Sequence, residues 1–350
     1  MKTLCLLSAL TLVGTCATPK YSTKIKNLKD SIQLVDSTFV IKYANTITAK
    51  ELKTHLCTLS SDEFEGRKAG EPGYAKATHF LKEYYQNENI KSAFGNNNYF
   101  QTIPTEFFSN NIKSSNNVLA FIEGSEKPDE IVVISAHLDH LGIEENGQIN
   151  NGADDDGSGT VALMEMAQAF NLAKNKGLGP KRSLLFLHFT AEEIGKKGSK
   201  YYTEHPVFPL ENTVANLNID MIGRVDDLHQ ENKDYIYLIG SDRMSTELHY
   251  LSEKVNNAYS NLYLDYKYNS LRDRNNYYFR SDHYNFAANG VPVIFYFNGE
   301  HADYHKPTDT ADKINYPLLK RRTQLVFATA WQIANQKTRI VLDEDNKLLN

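Results

Sequence analysis

The sequence predicts an α/β fold, a mostly parallel mixed sheet sandwiched between helices. Three observations predict it. From Asn117 onward, short apolar runs rich in β-branched residues (NVLAFIEG, EIVVISAH, SLLFLHFT, VANLNID, YIYLIG, VPVIFYFN) alternate with helical stretches. Short, largely apolar runs of this kind, alternating with helices, are the mark of strands buried on both faces. Polar residues able to do chemistry collect just after the runs, where open α/β sheets bind their ligands.

Taken in order, the first residues, MKTLCLLSALTLVGTCATPK, carry an early Lys, a short apolar core and then small residues. That is the pattern of an export signal, too short to span a membrane as a mature helix. Leu12-Val13-Gly14-Thr15 before Cys16 is similar to a bacterial lipobox, with Thr15 as a departure. Two outcomes are open: a lipid anchor at Cys16, or simple cleavage after Ala17. The protein is therefore expected to be periplasmic or a membrane-anchored lipoprotein, with secretion as the alternative.

Residues 18–47 read as an N-terminal extension or tether with one weak strand in SIQLVDSTFVIKY. A helix begins with the capping pair Thr48 and Glu51 and carries a Leu52/Leu56/Leu59 stripe. Cys57 is expected on that face as a small buried hydrophobe. The Gly-rich EGRKAGEPG leads into a second helix, YAKATHFLKEYYQ, and the Asn-rich GNNN and SNNIKSSNN pieces read as loops. Helices are expected after Gly159, over TELHYLSEKVNNAY and over LLKRRTQLVFATAWQIANQ. With no internal repeat or linker, residues 48–350 read as one domain.

Composition narrows the function. The chain has 350 residues, 41% hydrophobic and 23% charged, enough for one large globular domain or two small ones. A net charge of −5 leaves no basic footprint, so nucleic acid is not an expected partner. Of three cysteines, Cys5 lies in the signal and Cys16 is either lipidated or removed, so Cys57 stays alone and no disulfide framework forms.

The chemistry is read from the residues just after each strand. IVVIS is followed by AHLDH, SLLFLHFT by AEEIG, VANLNI by Asp220, and VPVIFYFN by GEHADYHKPTDT. NNGADDDGSGT opens a helix with three adjacent acids, Asp154, Asp155 and Asp156. Capping explains one acid well and three poorly, since each contact is worth roughly 0.3–1 kcal/mol and the acids repel one another. Carboxylates and imidazoles together suit divalent transition metals, zinc above all, and the lack of thiolates argues against a structural Cys site. More acids than one ion needs suggests two ions bridged by a carboxylate.

The series HLDH, NGADDDGSG, AEEIG, NIDMIG and DYHKPTDT, in this order, resembles the M28 family of zinc aminopeptidases over about Leu52 to Trp331. The protease-associated domain that many relatives insert looks absent. The resemblance implies the zinc-dependent exopeptidase fold and two Zn2+ per chain. His137, Asp155 and Asp220 would hold one ion; Asp155, Glu193 and His305 would hold the other, with Asp155 as the bridge. Glu192 would be the general base. Asp139 would orient the ring nitrogen of His137 that faces away from metal, and Tyr304 would donate to the oxyanion. Asp156 reads as a helix cap or supporting acid and Asp154 as structural. His140, His283 and His301 are expected to be polar surface or pocket residues rather than ligands. The implied substrate is a peptide with a free N-terminus. A mono-zinc glutaminyl cyclase, a carboxypeptidase or dipeptidase specificity, and a non-catalytic binding domain remain alternatives.

Overall fold

The computed structural model describes residues 20–108 and 112–349. Its strands are β1 (Lys91–Ser92), β2 (Phe100–Ile103), β3 (Ser115–Ile122), β4 (Lys127–His137), β5 (Gly142–Ile143), β6 (Ile149–Asn150), β7 (Arg182–Phe189), β8 (Thr213–Ile219), β9 (Tyr235–Ile239), β10 (Tyr263–Asp265) and β11 (Val293–Phe297). Its helices are α1 (Tyr21–Ser31), α2 (Ser37–Ala44), α3 (Ala49–Leu59), α4 (Pro72–Asn87), α5 (Gly159–Lys174), α6 (Lys197–Glu204), α7 (Thr246–Tyr259), α8 (His283–Ala288) and α9 (Tyr316–Asn335).

Nine strands form one sheet in the order β1-β3-β7-β4-β8-β11-β9-β10, with β2 also paired to β3. The centre, β7-β4-β8-β11, is parallel throughout. The joins to β3 and β9 are antiparallel. The central strands bury both faces, as their apolar runs predict. On β4, Val132, Ile134 and Ala136 join one core while Ile131 and Val133 join the other; on β7, Leu184 and Phe186 part from Leu185, Leu187 and Phe189 in the same way. Helices α3, α5 and α9 pack on the first face; α6 and α8 cover the second through Tyr202 and Phe286. Around Trp331 of α9 the first core is aromatic, with Phe170 stacked 5.6 Å away and Tyr43 at 5.8 Å.

Three expectations are corrected. The stretch SIQLVDSTFVIKY is not a strand: most of it is α2, preceded by α1. Val40, Tyr43 and Ala44 are the buried residues of α2, a spacing of three and four that only a helix brings to one face. Residues 20–47 are also not a free tether, since Ile32, Val40, Tyr43, Ala44 and Ile47 belong to the main core. Cys57 is exposed rather than buried. At 100° per residue it lies about 140° around α3 from Leu52, off the stripe. The export signal, Cys16 and the cleavage site after Ala17 lie outside the described residues.

The cap of α3 forms as expected on one side, with Thr48 Oγ1 accepting the Glu51 N–H at 3.1 Å. The Glu51 carboxylate turns to the Thr48 hydroxyl, at 2.6 Å.

Candidate active site

Because β4, β7, β8 and β11 run parallel, their carboxyl ends open on one edge, and the site gathers there. His137 is the last residue of β4, and Asp220 follows β8 directly. Glu192 and Glu193 lie three and four residues beyond β7, and His305 sits on the loop after β11. Neighbouring side chains of an extended segment point opposite ways, so both glutamates can face the cavity only if the chain turns. It does: Ala191 has φ +57°, and both glutamates line the cavity. Met221, just after Asp220, and His305 itself also sit at positive φ. These left-handed residues turn the chain where the strands end.

The three acids of the Asp154–Asp156 run are buried and do three different jobs. Asp156 caps α5: its Oδ1 accepts the N–H of Gly159 and of Met221, both at 3.0 Å, and its Oδ2 accepts the His137 N–H at 3.2 Å. One carboxylate thus ties together three site segments. A Cβ on Gly159 would lie 2.5 Å from both Asp156 oxygens, so this helix start requires glycine. Asp154 accepts the Gly223 N–H at 2.6 Å and lies 3.2 Å from His301 Nε2. Asp155 alone aims into the cavity. Its Oδ1 is 3.1 Å from His137 Nε2 and its Oδ2 is 3.1 Å from His305 Nε2.

Two ligand sets share Asp155. The donor atoms of His137, Asp155 and Asp220 lie within 4.8 Å of one another. On the other side, His305 Nε2 is 3.1 Å from Glu193 Oε2 as well. The structure adds a residue set aside in the sequence: His140 is buried, with Nδ1 2.8 Å from Glu193 Oε1, and it groups with Asp155 and Glu193 as tightly as the first set. Its Nε2 has no hydrogen-bond partner among the described residues. The only signal was its spacing three residues after His137. His301 pairs with Asp154 behind the site. His283 is neither surface nor pocket: it is buried, stacked 4.7 Å from Phe295, and burial pushes its pKa down to about 3. Carboxylates and imidazoles converging without a thiolate make a donor set that fits zinc.

Asp139 acts differently from expectation. The His137 Nδ1 faces the backbone carbonyl of Asp139 at 3.0 Å, while the carboxylate stands 3.7 Å off. That carboxylate accepts the backbone N–H groups of Glu192 and Glu193 at 3.0 and 3.3 Å. It positions the glutamate turn rather than the ring. Tyr304 lines the cavity, with its ring stacked on His305 at 3.9 Å.

Two clamps escaped the sequence reading. The buried Arg67 guanidinium donates to the carbonyls of Leu138, Asn151 and Gly152, at 2.9, 2.6 and 2.8 Å. It locks the His137 loop against the Asp155 loop. Asp309 Oδ2 accepts the N–H groups of Asp154 and Asp155, at 2.9 and 3.1 Å.

The electrostatics come from burial and crowding. Burial pushes Glu192 well above the usual carboxylate range, with His137 opposing and Asp282 and Asp220 adding to it. Burial would also raise Asp155, but its bonds to His137 and His305 hold it well below. A bound divalent cation adds its own charge to this balance and keeps its ligands deprotonated.

The sequence model of Peptidase family M28 matches residues 117–330. A probable aminopeptidase of Saccharomyces cerevisiae, YDR415C, is 25% identical over 241 residues, covering 67% of this chain and 61% of that protein. The chain thus spans about three fifths of that relative. Among solved structures, LapA of Legionella pneumophila is similar with a TM-score of 0.68 and 21% identity, over 87% of this chain and 78% of that one. BSAP, a zinc aminopeptidase from Bacillus subtilis, gives a TM-score of 0.65 and 16% identity, over 86% and 97%. The M28 match runs from β3 into α9 and takes in every strand end that carries the site; the chain belongs to peptidase family M28.

Proposed function

We propose that the protein is a metal-dependent aminopeptidase that binds two zinc ions and hydrolyses the N-terminal peptide bond of peptides. One observation carries this reading: the Asp155 carboxylate points one oxygen at His137 and the other at His305, so a single buried acid serves two ligand sets. His137, Asp155 and Asp220 would hold one ion. Asp155, Glu193 and His305 would hold the other, with His140 against Glu193. Zinc bound there would supply an activated water and polarise the scissile carbonyl.

The chain's own groups do the rest. Glu192 faces the cavity without being needed in either ligand set. It takes the proton from the attacking water and delivers it to the leaving amine. Tyr304 donates its hydroxyl to the oxyanion. Asp139 holds the backbone of both glutamates, so Glu192 and Glu193 keep their separate directions.

The test is one sample of purified protein on which zinc is counted per chain while hydrolysis of aminoacyl-anilides, hydrolysis of N-blocked peptides and cyclisation of N-terminal glutamine are measured. Two zinc ions with anilide hydrolysis support the proposal. One zinc with cyclisation selects a glutaminyl cyclase, and cleavage of N-blocked peptides alone selects a carboxypeptidase. Export is a separate proposal resting on residues 1–17, with Cys16 as the acylated first residue of a periplasm-facing lipoprotein. Mass spectrometry of the mature N-terminus checks it; an unmodified chain starting at Thr18 removes the anchor and keeps export.

A further inference from the structure

The loop after β11 carries two residues of the site, Tyr304 and His305, yet none of Ala302 to Thr308 is buried. The His305 side chain is 37% exposed and its backbone sits at positive φ. Something other than burial must aim this ring at Asp155. The loop is tied at its root, where the Asn298 N–H donates to the Met221 carbonyl at 2.8 Å and Asn298 Oδ1 accepts the Arg224 N–H at 2.7 Å. It is tied again two residues before His305, where Arg224 Nη2 donates to Asp303 Oδ2 at 2.8 Å. Lys313 Nζ donates to the other Asp303 oxygen at 2.7 Å. Arg224 Nη1 stands 3.7 Å from Oδ1 of Asp309, the acid whose second oxygen holds the Asp154 and Asp155 N–H groups. Arg224 follows Asp220 by four residues, and the buried Arg322 donates to its carbonyl at 2.7 Å.

We propose that Arg224 is a positioning residue that sets the His305 loop against the Asp155 run and so shapes the zinc position formed by Asp155, Glu193 and His305. This rests on the two-zinc reading. The guanidinium lies between two carboxylates, one on the His305 loop and one behind Asp155, while its backbone belongs to the Asp220 segment. The side chains of Arg224 and Asp303 are only 15% and 17% exposed, so their attraction is screened less than that of a surface pair. Without the guanidinium, the cation left to Asp303 is Lys313, a point charge on a flexible stem. The loop then loses its bond to the Asp220 segment two residues from His305. His305 and Tyr304 shift from Asp155, while His137, Asp155 and Asp220 keep their places. A residue that only held the fold would weaken both zinc positions together.

The experiment titrates zinc into metal-free protein against a competing chelator and measures kcat, KM and the melting temperature. It compares the wild type with Arg224→Met, Arg224→Lys, Asp303→Asn and the double variant of Arg224→Met with Asp303→Asn. In Arg224→Met one zinc position should weaken roughly 10- to 100-fold, the usual cost of removing a group that supports a metal ligand, while the other keeps its affinity. The loss should persist in an Asp220→Asn background, which disables the position away from His305. Excess zinc should refill the weakened position, yet kcat should stay low with KM unchanged, because Tyr304 moves with the loop and its contact belongs to the transition state. Asp303→Asn should act in the same way, and the double variant should be no worse than Arg224→Met alone, since both changes remove one bond. Arg224→Lys keeps the charge but not the planar fork and should recover part of the zinc affinity. Should Arg224→Met fail to fold, Asp303→Asn and Arg224→Lys decide alone. Unchanged zinc affinities, equal weakening of both positions, or losses that add in the double variant overturn the role. A wild type that binds fewer than two zinc ions overturns the two-zinc reading and this role with it, whereas two ions with unchanged affinities in the variants remove the role alone.

Discussion

Two buried clusters of this molecule are built from the same residues, aspartate and histidine, and only one is a candidate site. Beside β9 and β10, His229 lies between Asp226, at 2.8 Å from Nδ1, and Asp265, at 3.2 Å from Nε2. Its ring stacks on Tyr235 at 3.5 Å. Asp226 also accepts the N–H groups of Leu228 and His229 and the Tyr237 hydroxyl. Both ring nitrogens and both Asp226 oxygens are satisfied, and the cluster reads as a capped turn pinned to the sheet. At the sheet edge the balance is different. Asp155, Glu192, Glu193 and Asp220 converge on a few shared imidazoles, and a nitrogen of His140 has no partner among the described residues. What separates a binding site from a packing motif here is therefore whether the protein closes the set of partners by itself.

Substitutions can break or sharpen that contrast. The largest effect is expected at Asp155. Asp155→Asn should lose zinc from both positions and drop activity to background. Asp154→Asn, one residue away, should keep zinc and most of the activity per folded molecule, because Asp154 faces Gly223 and His301 instead. Zinc content and kcat of the two variants decide it; equal losses would place the bridge wrongly.

The adjacent glutamates come next. Glu192→Gln keeps shape but cannot take the proton, so two zinc ions should remain while kcat falls roughly 10²–10⁴-fold. Glu193→Gln should weaken one zinc position instead, and excess zinc should restore part of the rate. Metal loss in Glu192→Gln would reverse the two roles.

An open cluster should also respond to metal as a matter of stability. Zinc at about 100 times its dissociation constant adds about 2.7 kcal/mol to folding through binding the native state alone. Thermal melts with zinc and with a chelator measure this, and superimposed melts would mean the edge is as closed as the His229 cluster.

The closed cluster supplies the smallest effect on function. His229→Gln leaves Asp226 and Asp265 short of a partner and should cost about 1–3 kcal/mol of stability. Zinc content and kcat per folded molecule should not change. A fall in either would tie this cluster to the site.

Much of this was legible in the sequence because burial writes a local pattern. The apolar runs of β4, β7, β8 and β11 place themselves, and the polar residues just beyond them mark the edge where ligands bind. The reading of Asp156 as a cap or supporting acid, and of both glutamates as facing the cavity, rests on the family resemblance and not on spacing. The N-terminal segment was misread because β-branched residues in SIQLVDSTFVIKY suggest a strand, while packing against Trp331 favours the helix whose period brings Val40, Tyr43 and Ala44 to one face. Tertiary burial outweighs a weak local propensity.

The sequence by itself determined the α/β class, the edge that carries the chemistry and the residue types gathered there, because these depend on periodicity and on order along the chain. Only the tertiary structure decided which histidines meet which acids. His140, His283 and His301 look alike as sequence, yet one bonds Glu193, one stacks in the core and one pairs with Asp154. It also decided that Arg67, at the end of a short 3-10 helix about seventy residues before His137, locks the ligand loops together, and that Arg280 meets Glu300 at the cavity. Those contacts join segments far apart in the chain, and a side chain's partner is set by where folding brings it, which no local pattern encodes.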